Sequence, residues 1–278
     1  MIVRRGIFKK IYKKRNLWCH KGNFGKLGII AGSYFYSGSP IFVGTAALRA
    51  GCDIVRIFAP ECISNVIRSY LPDLIVFPYK SDFFDRSALS FVLKNSKDLS
   101  AFTIGNGMYR DKKVLKNIRT FVKKCDKPCV IDADAIYAIK NMKLNQKFLI
   151  TPHSYEFFVL SEIKVSNNLK ERIEAVKNVA KDYNCTILLK GHIDVISDGE
   201  RVAINKTGSV YMTKGGFGDI LTGIAGAYLA RNVDTFTSAC AAAYLNGLVG
   251  QKLKYKEAII ASDALDYIKN VISSIVNY

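Results

Sequence analysis

The sequence lacks any hydrophobic run that approaches the roughly 20 residues needed to cross a bilayer as a helix. The apolar stretch "IIAG" is too short and lies too far from the N-terminus to be a secretory signal. Membrane insertion is therefore not expected. We expect a cytoplasmic protein.

Closely paired cysteines are also missing. Seven cysteines are spread along the chain, and no two show the two-residue spacing of a zinc knuckle. Cys125 and Cys129 lie nearest to each other, on either side of a proline. We expect buried, unpaired thiols in a reducing compartment, which again indicates the cytoplasm.

Acidic residues are few: 23 Asp and Glu stand against 41 Lys and Arg, for a net charge of +18 with histidine neutral. Such an excess favours anionic partners, either nucleic acid or phosphorylated small molecules. The lysines are scattered, however, and no platform of interleaved aromatic and basic residues is present. A lysine-rich source proteome is the simpler explanation, and nucleic-acid binding is not expected.

The one dense basic cluster is the N-terminal "MIVRRGIFKKIYKKRN", which has no acidic residue. A transit peptide, an RNA-binding arm and an ordinary basic segment would all fit, although the scarcity of serine argues against the first. We predict a basic N-terminal segment over residues 1–19 and a single domain over residues 20–278.

Hydrophobic residues make up 49% of the chain and aromatic residues 12%, which excludes disorder and is enough to bury a large core. Short apolar runs alternate with segments of helical period. The predicted strands span residues 27–32, 53–60, 74–77, 101–105, 128–132, 148–151 and 185–191, followed by a hairpin that turns at Asp198 and Gly199. The predicted helices span residues 40–50, 86–95, 112–124, 154–161, 170–183, 219–230, 236–253 and 262–275.

This alternation predicts an α/β fold with a largely parallel central sheet and helices on both faces. Ligands of such sheets bind beyond the carboxyl ends of the strands. The loops to inspect are therefore residues 33–39, 105–111, 132–134, 151–156 and 190–194.

The segment "KGGFGDILTG" places three glycines and Asp219 before an apolar helix pattern. The glycines allow a ligand to approach the backbone, and the helix N-terminus offers unpaired N–H groups to an anion. Asp219 could accept a proton from a hydroxyl that attacks a phosphoryl group. It could equally be an ordinary helix cap. The segment alone leaves both open.

Other strand-end motifs have similar pairs of interpretations. "TPHSYE" could direct His153 into the crevice, or it could form a capping box from a Thr or Ser cap and a glutamate at the third helical position. "VIDADAI" could hold Mg²⁺ through Asp132 and Asp134, or Asp134 could cap the next helix. "IGNGMYRD" offers Gly107 at a strand end, and "LKGHID" offers Lys190 as a contact for phosphate.

Taken together and in this order, the segments resemble the ADP/ATP-dependent NAD(P)H-hydrate dehydratases, a family of the ribokinase-like superfamily. The resemblance runs from about residue 20 to residue 223 and includes "HKGNFGKLGIIAGS", "YSGSPIFVGTAALRAGCDIV", "VIDADAI", "TPHSYEF", "LKGHIDVISDG" and "NKTGSVYMTKGGFGDILTG". It implies a ribokinase-like fold and a repair reaction. The hydroxyl on the ring of hydrated NADH or NADPH is phosphorylated from ADP or ATP, with Mg²⁺, and phosphate then leaves.

The resemblance also implies roles for individual residues. Asp219 would be the catalytic base. Gly215, Gly216 and Gly218 would form an anion hole. The nucleotide would be held by Lys190, Gly191, His192, Ile193, Asp194, Ser209, Gly216 and Gly218. The hydrated dinucleotide would be held by Ala46, Ala47, Gly107, His153, Glu156 and Asp219. No metal ligand is assigned.

Several positions depart from the family pattern. The family usually has "GPG" where this chain has a glycine, Asn106 and a glycine, and Tyr109 replaces a further glycine. Lys206 and Ser209 replace a proline and an asparagine. Many relatives also carry a fused epimerase domain, for which this sequence has no room, so a separate epimerase is expected as a partner, along with further copies of the chain.

Two alternatives stay open on the sequence. Another ribokinase-like kinase, acting on a vitamin-precursor alcohol, would share the glycine–aspartate loop but would not need "HKGNFGKLGIIAGS" or "TPHSYE". An RNA-binding protein would use the positive surface and bind with steep salt dependence.

Overall fold

A computed structural model describes residues 1–276 of the chain. Its strands form one sheet in the order β3-β2-β1-β4-β5-β6-β7-β8-β9. The strands are β1 (Lys26–Ile30), β2 (Ile54–Pro60), β3 (Ile75–Tyr79), β4 (Ala101–Ile104), β5 (Cys129–Ile131), β6 (Phe148–Ile150), β7 (Thr186–Leu189), β8 (Asp194–Ser197) and β9 (Val202–Asn205). Pairing is parallel as far as β7 and antiparallel from β7 to β9. The predicted α/β class with a largely parallel sheet is confirmed.

Helices cover both faces of the sheet. They are α1 (Gly38–Arg49), α2 (Glu61–Tyr70), α3 (Arg86–Lys94), α4 (Lys112–Lys124), α5 (Asp134–Ala138), α6 (Ser154–Ser161), α7 (Leu169–Tyr183), α8 (Phe217–Ala230), α9 (Thr235–Lys252) and α10 (Ala261–Ile275). Short 3₁₀ helices form at Arg5–Lys10, Val210–Met212 and Lys256–Ala258. The sequence patterns predicted most of these helices to within two residues at each end. Helix α2 was missed, and α5 was anticipated only as the helix that Asp134 could cap; Asp134 lies in its first turn rather than at the cap position.

The two hydrophobic clusters lie on opposite faces of the sheet because successive strand residues point to opposite sides. In β5, for example, Val130 joins the cluster formed with α1, α8, α9 and α10. Its neighbours Cys129 and Ile131 join the cluster formed with α3 to α7. Strands buried on both faces read as continuous apolar runs, which is why they were recognisable.

Close contact between α1 and α8 depends on small residues. A side chain at Gly223 of α8 would collide with the backbone carbonyl of Val43 and come within 3.0 Å of Ala46 in α1. A Cβ atom at Gly226 would lie 2.5 Å from Thr103 and 3.1 Å from Leu27 of the sheet. This packing fixes the N-terminus of α8 at the carboxyl edge of the sheet.

The N-terminal segment packs against the same domain. The Val3 N–H donates to the Ile204 carbonyl at 2.9 Å, which adds a short stretch of chain beside β9. Phe8 and Ile11 are buried in the larger cluster, whereas most of the basic side chains around them are exposed. The predicted division at residue 20 stays a prediction. None of the helices formed by residues 1–276 combines the length and apolar character of a membrane span.

Candidate active site

The carboxyl ends of β1, β4, β5, β6 and β7 are neighbours, so the loops that follow them meet at one edge of the sheet. Four polar residues follow directly or closely after these strands: Asn106 after β4, Asp132 after β5, Thr151 after β6 and Lys190 after β7. The loop "HKGNFG" precedes β1 and therefore lies at the opposite edge, where Asp53 accepts hydrogen bonds from the N–H groups of Gly22 and Phe24, both at 2.9 Å.

Asp132 is the centre of a buried hydrogen-bond network. Its side chain is only 3% exposed. The carboxylate accepts hydrogen bonds from the Thr151 hydroxyl at 2.9 Å, the Lys190 ammonium at 2.9 Å, the Thr222 hydroxyl at 2.8 Å and the Asn106 amide at 3.0 Å. Burial raises the pKa of Asp132, but Lys190 and the hydroxyl donors outweigh it and hold the pKa below its ordinary value. Asp132 is therefore a fixed anion.

Lys190 carries the matching positive charge. Its ammonium lies 2.9 Å from Asp132 and 3.8 Å from Glu156, and its side chain is 22% exposed. Burial opposes the charge, but these two carboxylates raise the pKa of Lys190 above its ordinary value. A protonated amine that also lines a cavity can contact a phosphate.

Asp219 lies in the first turn of α8, where Gly216 is the capping residue in a left-handed conformation, with φ of 95°. Oδ1 of Asp219 accepts a hydrogen bond of 2.7 Å from the Asn106 amide. Burial, and to a lesser degree the nearby Asp132 anion, raise the pKa of Asp219 to about 6. A carboxylate with that pKa is ionised at neutral pH and more basic than an exposed aspartate, as a general base requires.

The glycines before α8 leave the helix N-terminus accessible. A Cβ atom on Gly215 would meet no atom within 4 Å, so this position opens to solvent. A Cβ on Gly218 would lie 3.7 Å from the Lys190 ammonium and 3.9 Å from Asp132. The N–H groups of a first helical turn have no partner within the helix and favour an anion.

A cavity of about 630 Å³ adjoins this helix N-terminus. Several of the predicted nucleotide-binding residues line it: Lys190, Gly191, His192, Asp194, Ser209 and Gly218. Ile193 and Gly216 are not among its lining residues within residues 1–276. His153, which was predicted on the dinucleotide side, lines it as well. The lining also includes Lys206, one of the departures from the family pattern.

Asp194 lines the cavity and is a second carboxylate whose pKa is raised to a similar value. It accepts hydrogen bonds from the Gly191 N–H at 3.0 Å and the Asn205 amide at 2.9 Å. Burial raises its pKa to about 6 despite these bonds. A raised pKa alone therefore does not single out a base; the position of Asp219 at the glycine-lined helix N-terminus does.

His153 and Glu156 form a capping box at the start of α6. The Nδ1 atom of His153 accepts from the N–H of Tyr155 at 3.1 Å and of Glu156 at 3.2 Å, and Glu156 accepts from the His153 N–H at 2.8 Å. Burial and the Lys190 cation lower the pKa of His153, so the ring is neutral at pH 7. The sequence predicted either a Thr or Ser cap paired with Glu156, or a His153 that points into the crevice. The structure makes His153 itself the cap, and its ring also lines the cavity.

The carboxylates proposed for magnesium are engaged elsewhere. Asp132 already has the four donors described above, and Asp134 accepts from the Tyr109 N–H at 2.9 Å and lies 3.2 Å from Arg110. Within residues 1–276, no group of three or more histidine, cysteine and acidic side chains could hold a metal ion. The described residues therefore do not form a resident magnesium cage.

The positions predicted for the dinucleotide lie in different environments. Gly107 lies near Ser39, whose hydroxyl also forms a hydrogen bond with Asp219. A Cβ at Gly107 would come within 2.8 Å of Tyr36 and 3.0 Å of the Ser39 hydroxyl. Ala46 and Ala47 are fully buried, and Ala46 contacts α8. Helix packing accounts for their small side chains. Because both side chains are fully buried, the structure gives no support for a contact between them and a substrate.

Sequence reasoning did not identify Asn106, Thr151 and Thr222 as functional. Thr222 could have been found, because it lies one helical turn after Asp219 on an otherwise apolar face. Asn106 was noted only as a departure from "GPG". All seven cysteines are unpaired, as expected, and Cys19 and Cys62 are exposed rather than buried.

The fold is ribokinase-like: a crystal structure of a ribokinase-like superfamily protein from Enterococcus faecalis superposes with a TM-score of 0.84 at 20% identity and covers 99% of this chain and 95% of that one. A crystal structure of the ADP/ATP-dependent NAD(P)H-hydrate dehydratase from Bacillus subtilis, co-crystallised with ATP and Mg²⁺, superposes with a TM-score of 0.87 at 24% identity and covers 99% of this chain and 98% of that one. The sequence model of the NAD(P)H-hydrate dehydratase family matches residues 27–273, and the chain belongs to this family.

Two curated relatives agree. The ADP-dependent (S)-NAD(P)H-hydrate dehydratase of Cenarchaeum symbiosum is 37% identical over 246 residues, which is 87% of this chain and 86% of the relative. The bifunctional NAD(P)H-hydrate repair enzyme Nnr of Pyrobaculum aerophilum is 33% identical over 276 residues, which is 98% of this chain and 55% of the relative. The chain thus spans about half the length of the bifunctional relative. The family resemblance stated from the sequence is confirmed.

Proposed function

We propose that the protein repairs hydrated NADH and NADPH by dehydration driven by ADP or ATP. The observation that carries this proposal is Asp219: a carboxylate with a pKa of about 6, at a glycine-lined helix N-terminus beside Lys190 and a cavity. The family assignment favours this reaction over phosphorylation of a vitamin-precursor alcohol.

In the first step, Asp219 accepts the proton of the hydroxyl on the hydrated ring as that oxygen attacks the terminal phosphorus of the donor. The bond between this phosphorus and the nucleotide breaks, and the nucleotide leaves. Lys190 and the N–H groups of the first turn of α8 stabilise the charge on the transferred phosphoryl group. Gly215 and Gly218 give this group access to the backbone.

In the second step, the ring carbon–oxygen bond breaks and phosphate departs with the electron pair. The neighbouring ring carbon gives up a proton to the departing phosphate, and the electrons of that carbon–hydrogen bond form the ring double bond again. Asp132 serves the reaction indirectly, since it holds Lys190 in place through a bond of 2.9 Å. Mg²⁺ belongs to the donor in this proposal: it enters with the nucleotide phosphates, as Mg²⁺ commonly does.

The nucleotide base and ribose would lie in the cavity, with Lys190, Gly191, His192, Ile193, Asp194 and Ser209 along that side. The dinucleotide would approach from the side of Gly107. Its hydrated ring would lie against Asp219, with His153 and Glu156 nearby. We also propose a cytoplasmic location, assembly into a homo-oligomer and a separate epimerase that supplies the reactive epimer. Full turnover of both epimers without an added epimerase would contradict the last of these.

The test is recovery of NADH absorbance from hydrated NADH in the presence of Mg²⁺, with ADP and ATP in parallel. Recovery with at least one donor is expected, and Asp219→Asn serves as the inactive control. If neither donor gives recovery while a vitamin-precursor alcohol is phosphorylated, the kinase alternative replaces this proposal.

A further inference from the structure

Asn106 occupies a central position that neither the family assignment nor the proposed mechanism explains. Its side chain is buried between Asp132 and Asp219, which lie on different elements. The Nδ2 atom lies 2.7 Å from Oδ1 of Asp219 and 3.0 Å from Oδ2 of Asp132. One amide group thus bridges the two carboxylates, with one N–H available for each.

The orientation of this amide follows from its neighbours. If the side-chain oxygen Oδ1 of Asn106 occupied the place of Nδ2, it would face two carboxylate oxygens at hydrogen-bond distance. It could accept a hydrogen bond from neither of them while they are ionised. With Nδ2 in that place, the side-chain oxygen Oδ1 of Asn106 is buried without a partner among residues 1–276. A buried oxygen without a partner is unfavourable. The contribution of this side chain is therefore the two hydrogen bonds that Nδ2 donates, and not an interaction of Oδ1.

The backbone holds Asn106 tightly. It lies between Gly105 and Gly107, which have φ of 126° and 66°. A Cβ atom at Gly105 would collide with the backbone carbonyl of Asp132, so this loop runs directly against the end of β5. The backbone carbonyl of Asn106 accepts from the Gly32 N–H at 2.9 Å. The amide is therefore presented from a position with little freedom.

We infer that Asn106 is a positioning residue for the reaction: its amide fixes Oδ1 of Asp219 and joins that carboxylate to the buried anion Asp132. This inference rests on the proposed function only in taking Asp219 as the base. Oδ1 is therefore the oxygen of this carboxylate whose position the amide fixes.

Asn106 also adjusts the basicity of Asp219. Burial and the Asp132 anion favour the protonated form of Asp219, whereas the Asn106 amide, the Ser39 hydroxyl and the Lys190 cation favour the ionised form. These four groups surround the Asp219 carboxyl from α1 and from the loops after β4, β5 and β7. A hydrogen bond to a charged acceptor is about twice as strong as a neutral one, so the loss of the amide raises the pKa of Asp219.

The test is a titration of Asp219 by ¹³C NMR of protein labelled at aspartate carboxyl carbons, with Asp219→Asn to assign the signal. Asn106→Leu removes the donor while it keeps the number and branching of the side-chain heavy atoms, and it should raise the midpoint by about one pH unit from its wild-type value. The acidic limb of the kcat/KM profile should move by the same amount, with a loss of about fivefold at pH 6 and little loss at pH 8.5.

Asn117→Leu is the matched control. The Asn117 amide donates to the carbonyls of Phe84 and Lys113, and its removal should leave the Asp219 midpoint unchanged. Asn106→Ser keeps a shorter donor and should shift the midpoint in the same direction by less, which provides a reading if the leucine variant does not fold. A midpoint that stays at the wild-type value, or that moves equally in Asn117→Leu, overturns the inference, as does failure of both Asn106 variants to fold.

The titration needs no substrate, so it separates this inference from the proposed function. A wild-type protein that does not act on hydrated NADH would refute the proposed function and leave the NMR result standing. An unmoved titration with full repair activity would refute only the role of Asn106.

Discussion

Asp219→Asn should make the protein more stable while it abolishes catalysis. The pKa of Asp219 is raised from 3.8 to about 6 by burial. A shift of one unit corresponds to about 1.4 kcal/mol, so keeping this carboxylate ionised above pH 6 costs about 3 kcal/mol of folding free energy as an upper bound. Asparagine carries no charge and can still accept from Asn106.

The sign follows from proton linkage. The unfolded chain releases this proton near 3.8 and the folded protein near 6, so the destabilisation grows as the pH rises between these values and is complete above about 6. At pH 8, urea unfolding of Asp219→Asn should therefore show a gain of about 1–3 kcal/mol. The gain should shrink toward zero at pH 4. Turnover of hydrated NADH should fall by about two orders of magnitude or more.

Asp85→Asn is the matched control, because Asp85 is an ordinary helix cap. It accepts from the Ala88 N–H at 2.8 Å, and although burial opposes ionisation, this bond and the Ser87 hydroxyl lower its pKa. Its replacement should bring no gain in stability at pH 8 and no change in turnover. Near-normal turnover in Asp219→Asn, or a loss of stability there, would reduce Asp219 to a helix cap and refute the reasoning.

Three further predictions concern the same site. Lys190→Met should lower the free energy of unfolding by about 3–5 kcal/mol in urea titrations, because it leaves Asp132 buried without its cation; a loss below about 1 kcal/mol would show that the pair is unimportant. Gly215→Ala should fold normally but raise KM for the nucleotide donor about tenfold, since the new methyl group projects where the anion is proposed to bind. Gly6→Ala, which also adds a methyl group in open space, should change neither folding nor KM. In the wild type, kcat/KM should fall about tenfold per pH unit below pH 6 as Asp219 becomes protonated; a flat profile between pH 5 and 7 would contradict its role as base.

The parts of the fold with a clear pattern of apolar residues could be predicted from the sequence. Strands buried on both faces, such as the one ending at Ile131, are continuous apolar runs, and α4 shows a clear amphipathic pattern. Helix α2 was missed because its sequence "ECISNVIRSY" combines β-branched and small polar residues of low helix propensity. Its helical state depends on burial of Ile63 and Ile67 against the sheet, which is a tertiary effect.

The candidate site was predictable to the extent that strand-end loops converge in a parallel sheet. That rule places Lys190 and Asp132 at the same edge of the sheet, although it does not predict their ion pair. The bridge from Asn106 to two carboxylates could not be predicted, because it depends on the register of β4 against β5 and on the angle at which α8 approaches. The predicted roles of the individual site residues stay predictions.

The most direct test of the proposed reaction follows the oxygen of the ring hydroxyl. Hydrated NADH labelled with ¹⁸O at that hydroxyl should be incubated with the enzyme, Mg²⁺ and the preferred donor, and the released phosphate analysed by mass spectrometry. If the hydroxyl is phosphorylated before it leaves, the label appears in inorganic phosphate, one atom for each NADH restored. Label found in water, with unlabelled phosphate, would contradict transfer of the phosphoryl group to the substrate.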